Sequence, residues 1–186
     1  MNRTTKPTES ADPPEEKEVL TLLHHAAFEG KTEVIPFLLA HGYDVNVPTN
    51  RLMTPLHSAA ISNQHQAAKL LLENQANPNL KNYLGGVPLI YTALEDHVET
   101  ARVLLKHGAV VDVPDTKGCT ALHIAADKGA CKVTKLLLNR GANPLAKNAE
   151  GQTPLDVATI AVANILRHHL ARRKKSKIKL PPGINN

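Results

Sequence analysis

Ten histidines and two cysteines are the residues of this 186-residue chain with the most chemistry to offer. Cys119, His123 and Cys131 lie in one short stretch and would give a zinc ion three ligands. Structural zinc takes four ligands, however, and no C-x-x-C pair is present. No metal or other cofactor is expected. Nucleophilic catalysis has as little support, because the four serines (Ser10, Ser58, Ser62 and Ser176) include none in a G-x-S-x-G turn. Neither H-E-x-x-H nor a Gly-rich loop ending in Gly-Lys-Ser/Thr occurs, and Gly85-Gly86 reads as a turn tip. Acidic pairs such as Glu95-Asp96 fall on polar turns, where both carboxylates stay solvated. The chain therefore reads as a non-enzyme with no small-molecule substrate. Three histidines stand out for another reason: His24, His57 and His123 each end a tetrapeptide of one type, Thr21-Leu22-Leu23-His24, Thr54-Pro55-Leu56-His57 and Thr120-Ala121-Leu122-His123.

Those tetrapeptides belong to a repeat of period 33, since Val87-Pro88-Leu89-Ile90 and Thr153-Pro154-Leu155-Asp156 complete a series starting at 21, 54, 87, 120 and 153. With the first residue as zero, position +2 is always Leu, and +5 and +6 are Ala in four of five units each. Leu pairs recur at +17 and +18 (Leu38-Leu39, Leu71-Leu72, Leu104-Leu105, Leu137-Leu138), with Gly42, Gly108 and Gly141 three residues later. A fixed period of this length marks a stack of units, none of which can bury its apolar face alone. Thr caps a first helix, Pro suits its first turn, and paired Ala lets helices approach closely. Gly85, Gly118 and Gly151 each follow Asn or Asp by three residues, which predicts turn tips there.

The register resembles the ankyrin repeat over about residues 16–170. The resemblance implies an all-α solenoid of helix-turn-helix units with short β-hairpins, in which the motif imidazole ties turns together. The units are placed near 12–48, 49–81, 82–114, 115–147 and 148–172. Asp12-Pro13-Pro14-Glu15 reads as a helix start, so a long first helix is expected from near Pro13 to Phe28, after a disordered lead-in over 1–11. Pro36 falls in the second helix of unit one, at its fourth position if Thr32 is the cap. Unit three has Val87, Ile90 and Thr92 where the pattern has Thr, His and Ala, and it is expected to be the softest joint or a repacked one. Unit five is expected to be a shortened cap whose second helix lacks a residue or two.

Composition supports a soluble helical protein: 25 Leu and 23 Ala are the strongest apolar helix formers, and only five residues are aromatic. No apolar run approaches the roughly 18 residues of a membrane span, and residues 1–20 lack a signal-peptide core. Two cysteines make no disulfide framework, which fits a reducing compartment, the cytoplasm or nucleus. The net charge of +5 is not spread evenly. The body is balanced, and the excess sits after residue 165, in Arg167 and in Arg172, Arg173, Lys174, Lys175, Lys177 and Lys179 of a basic, flexible tail over 173–186. Such a cluster matches an import-receptor signal and equally a contact with an acidic partner, and without interleaved aromatics it does not favour base stacking.

Positions −4, −3, −1, +7 and +8 have no scaffold role. In the resembling family they face one concave groove along hairpins and inner helices. They hold Phe28, Arg51, Met53, Ile61, Tyr83, Leu84 and Leu94 in the first three units, with Tyr91 at +4. Aromatic, apolar and Arg residues released from packing are the composition of a binding hot spot. The plainer alternative is that Ile61 and Leu94 only extend the core. In unit four the same offsets hold Thr116, Lys117, Asp127 and Lys128, a polar rim. The expectation is a monomeric scaffold or adaptor that binds another protein. The competing readings are a nuclear or nucleic-acid-linked regulator acting through its tail, and a bacterial effector aimed at a host protein.

Overall fold

Each motif Thr starts a helix in the same way. Thr21, Thr54 and Thr120 are extended, and their N–H groups donate to Nδ1 of the histidine three residues on, at 3.3, 3.1 and 3.2 Å. This is a capping box with imidazole in place of Glu or Gln. An accepting Nδ1 leaves the ring proton on Nε2, which donates to a carbonyl of the next unit: Met53, Gly86 and Gln152, at 3.0, 3.1 and 3.1 Å. One buried imidazole thus caps its own helix and fastens the following unit.

The computed structural model describes residues 21–177. Helices α1 (Leu22–Glu29), α3 (Pro55–Ile61), α5 (Pro88–Leu94) and α7 (Ala121–Lys128) pack side by side as an inner layer. Helices α2 (Val34–Ala40), α4 (His65–Glu73), α6 (Val98–Lys106), α8 (Cys131–Asn139) and α9 (Ile160–Lys177) form the outer layer. The core lies between them. Leu23, Leu56, Leu89 and Leu122 from the inner layer and Leu71, Leu104 and Leu137 from the outer are at most 1% exposed. Each is worth about 1.5–3 kcal/mol of burial. The Ala pairs beside them are buried too, which is why inner helices of seven or eight residues suffice.

The stretches read as short hairpins fold back on themselves through closing bonds such as Asn82 N–H to Gly86 O (2.9 Å) and Asp115 N–H to Cys119 O (3.0 Å), with no β-strand among the described residues. Thr49, Asn82, Asp115 and Asn148 each accept, on one side-chain oxygen, the N–H groups two and four residues on. Successive loops are joined by single backbone bonds, Tyr83 N–H to Arg51 O (3.1 Å), Thr116 N–H to Leu84 O (2.9 Å) and Ala149 N–H to Lys117 O (2.9 Å). At Gly85 the φ is +73°, and an added Cβ would stand 2.8 Å from the Thr116 nitrogen, so glycine is required twice over.

Three expectations need correction. The first helix does not run from Pro13, because extended Thr21 interrupts it and α1 starts at Leu22; residues 1–20 lie outside the described residues. Helix α2 is capped at Glu33 rather than Thr32, which puts Pro36 at the third helical position, where its missing N–H costs no helical bond. In unit five it is the inner helix that is lost, to turns over 154–157, while α9 runs long to Lys177 and takes in the first residues assigned to the tail. The cause is length. Gly30, Asn63, Asp96 and Gly129 are left-handed at +9 and turn the chain from inner to outer helix in the full units. In unit five Ala163 N–H bonds to Thr159 O as Thr134 N–H bonds to Ala130 O, so α9 starts 29 rather than 33 residues after α8, and the four missing residues come out of the inner helix. The chain goes straight into α9, with Thr159 N–H bonded to Ala126 O at 3.0 Å.

Unit three keeps the frame of its neighbours: Val87 is extended where other units have Thr, and α5 spans the same seven positions as α3. Val87, Ile90 and Thr92 are buried, and the Thr92 hydroxyl donates to Leu89 O at 2.7 Å within its own helix. The Cys119 carbonyl, 29 residues after Ile90, accepts the Asp115 N–H and sits where the other units receive an imidazole. Val87→Thr with Ile90→His is therefore expected to raise the urea midpoint, by about 1 kcal/mol of stability, with the slope unchanged. A lower midpoint would show that the apolar packing outweighs the missing cap.

Candidate functional site

His24, His57 and His123 are buried, with both ring nitrogens committed to the cap and the next unit. Burial pushes the His57 pKa down to about 4, against the opposing pull of its bond to Gly86 O. The Cys119 thiol is pushed up by burial and takes a long 3.8 Å contact from the Asn148 amide. Among the described residues no three His, Cys, Asp or Glu side chains are grouped to hold a metal ion.

What the fold does build is a groove between the turn loops and the inner helices. In unit four it is a cavity of about 460 Å³ lined by Thr116 and Lys117 of one loop, Ile124 and Asp127 of α7, and Asn148 and Glu150 of the next loop. Positions −4, −3, +4 and +7 therefore share one concave surface. Here it is polar, and Asp127 pairs with Lys128 at 3.0 Å.

In units two and three the same surface is apolar and aromatic. Arg51 and Tyr83 meet across adjacent loop tips, the guanidinium 5.8 Å from the ring centroid and the backbones hydrogen-bonded. This is cation–π range, and it pre-orders two long side chains before any partner arrives. Leu84 beside them is half-exposed. Phe28, Ile61 and Leu94, at the ends of three adjacent inner helices, form a second exposed row, 50, 38 and 36% open. Met53 and Tyr91 are instead part of the wall. The Asn82 amide reaches Met53 Sδ at 3.1 Å and the Tyr91 hydroxyl, and the Tyr91 ring stands edge-on to His57 at 5.8 Å.

Profiles built from ankyrin repeats match residues 7–82 (ankyrin repeats, three copies), 85–116 (one ankyrin repeat) and 104–158 (ankyrin repeats, many copies). The chain belongs to the ankyrin-repeat family. Comparison with curated proteins gives no match. Ankyrin repeats generally mediate protein–protein interaction, and no ankyrin helix among the described residues is long and apolar enough to cross a membrane.

Two features of this ankyrin repeat were missed from sequence. Leu52 sits at −2, where units three to five have glycine, and is forced to φ 57° with its side chain 49% exposed. A left-handed leucine costs roughly 1–2 kcal/mol, and such strain gathers at functional sites. The signal was legible as one Leu in a column of Gly. The second is Asp96, whose carboxylate accepts the N–H groups of Val133 and Lys132 at 2.7 and 3.2 Å, capping a helix of the next ankyrin unit. Of the tail residues, Arg172 and Arg173 are exposed on α9, Lys174, Lys175 and Lys177 continue that helix, and Lys179 lies outside the described residues.

Proposed function

We propose that this ankyrin protein is a non-enzymatic scaffold that recognises a partner protein through the groove of units two and three. The observation that carries the reading is the Arg51–Tyr83 pair, flanked by exposed Leu52 and Leu84, at positions the solenoid does not need for packing. Unit spacings of about 10 Å give a groove roughly 40 Å long. That is room for the ~800 Å² per partner of a standard interface. The expected partner offers an apolar ridge with a carboxylate for Arg51, and no small-molecule substrate or cofactor is needed.

Leu52 separates a binding role from a scaffold role. Leu52→Gly removes the backbone strain but adds glycine's own chain entropy of roughly 0.5–1 kcal/mol. The variant is expected to be more stable by about 0.5 kcal/mol, read from urea midpoints, and to bind its partner more weakly. A variant that binds as wild type does would place Leu52 outside the interface. The test of the whole reading is affinity capture with the intact chain and with the Arg51→Ala/Tyr83→Ala variant. Partners retained equally by both would refute the groove, and loss of the same partners on removal of 174–186 alone would favour the tail.

A further inference from the structure

The outer layer ends in a second concavity that faces away from the groove. Helices α8 and α9 flank an open cleft of about 490 Å³, a volume in the range of small-ligand sites. Leu138, buried, and Ile165 are its apolar floor. Around them stand Lys135 and Asn139 of α8 and Asn164, His168, His169 and Arg172 of α9. On α9 the spacing 164, 168, 172 brings these side chains to one face, one turn apart.

The charge of this pocket is of a single sign. None of its lining residues is Asp or Glu, neither α8 nor α9 contains one, and no acid follows Asp156 in the chain. The groove cavity of unit four differs in having Asp127 and Glu150 among its lining residues. Partial burial, with a further contribution from Arg173, holds the His169 imidazole below its ordinary pKa, so its neutral form is favoured. The Arg167 guanidinium lies 3.5 Å from Asn164 Oδ1, which leaves the Asn164 amide hydrogens as donors. Like charges gathered on a partly desolvated surface repel, and a bound anion would remove that cost.

We infer that this α8–α9 pocket binds a small soluble ligand carrying two or more clustered phosphate groups, held by Lys135 and Arg172 with His168, His169 and the Asn139 and Asn164 amides. A lone carboxylate is satisfied by one Arg fork. Four cationic or protonatable side chains converging with two amides suit an anion with more acceptor oxygens and more charge. The concave shape and the apolar floor favour a compact molecule over an extended polyanion, which needs a stripe along the surface.

The experiment uses the full chain at about 0.1 M salt, where the screening length is about 10 Å. Pyrophosphate and myo-inositol hexakisphosphate are titrated calorimetrically. The expected result is saturable one-to-one binding that tightens about fivefold from pH 7.5 to 5.8, as the bound anion draws a proton onto the His169 imidazole. Lys135→Gln/Arg172→Gln should weaken it about tenfold or more, while the combined Lys174→Gln/Lys175→Gln/Lys177→Gln variant stays within about threefold. His169→Gln is the second variant and should lose that tightening, leaving only the change due to the probe's own protonation. In proton NMR, saturating pyrophosphate should raise the titration midpoint of His169. Non-saturable binding, equal binding of hexaglutamate, or loss only in the triple lysine variant would overturn the proposal. Binding of vesicles rich in anionic lipid with none of either soluble probe would also overturn it.

Discussion

Acidification to pH 4 is expected to cost roughly 3 kcal/mol of folding stability through His57 alone. The folded pKa of about 4 lies below the ordinary 6.5. The unfolded chain therefore takes up a proton between those values while the folded chain refuses it. Stability is complete above pH 6.5 and falls as the pH drops toward 4. The physical cause is burial, which strips water from the imidazole and disfavours its charged form; the neutral ring keeps Nδ1 free to accept the Thr54 N–H. Near pH 5.5 the slope due to one proton approaches about 1.4 kcal/mol per pH unit. Urea unfolding of wild type and His57→Gln at several pH values between 7.5 and 4.5 isolates this share from the carboxylates. The variant should be less stable at pH 7 and shallower by nearly that slope. Parallel curves would show that His57 is charged in the folded state.

The second large effect is on binding. Tyr83→Ala or Arg51→Ala should each weaken partner binding roughly thirtyfold, the ~2 kcal/mol typical of hot-spot truncation. The two are coupled, because Arg51 lies against the Tyr83 ring. The double variant should therefore lose less than the sum of the single losses. Neither side chain is part of the core, so circular dichroism melts should match wild type. Lys106→Ala, exposed at the end of α6 in the outer layer, should change affinity by less than about twofold.

Much of this was legible because one residue type at one offset does one job. The +2 and +17 leucines are buried in every full unit, and the motif histidines make the same pair of bonds three times. The loops were legible from Asn or Asp followed by Gly, although single bonds between their tips replace the expected strands. What was not read were backbone requirements met by unlike residues. Position +9 is Gly, Asn, Asp and Gly, a column with little identity but a common tolerance of positive φ, and in unit five a four-residue shortening before α9 hid the loss of the inner helix from a fixed offset. Leu52 escaped although it stands at the offset where units three to five have glycine, because the offset was read for turns and not for the residue that breaks the column. Met53 was placed on the groove surface and Tyr91 at a half-exposed position; both are half-buried, and their contacts with Asn82, between residues 29 and 9 apart, are recorded by no offset.

The most direct measurement of the central claim is site-specific photo-crosslinking. A benzophenone amino acid is placed singly at Leu84 in the groove, at Lys106 in the outer layer and at Arg173 on α9, and each protein is irradiated with its captured partner. The account predicts a strong adduct from position 84, reduced when Arg51→Ala is added, and background from 106 and 173. Adducts from 106 or 173 with none from 84 would contradict it and leave the apolar loop residues as packing.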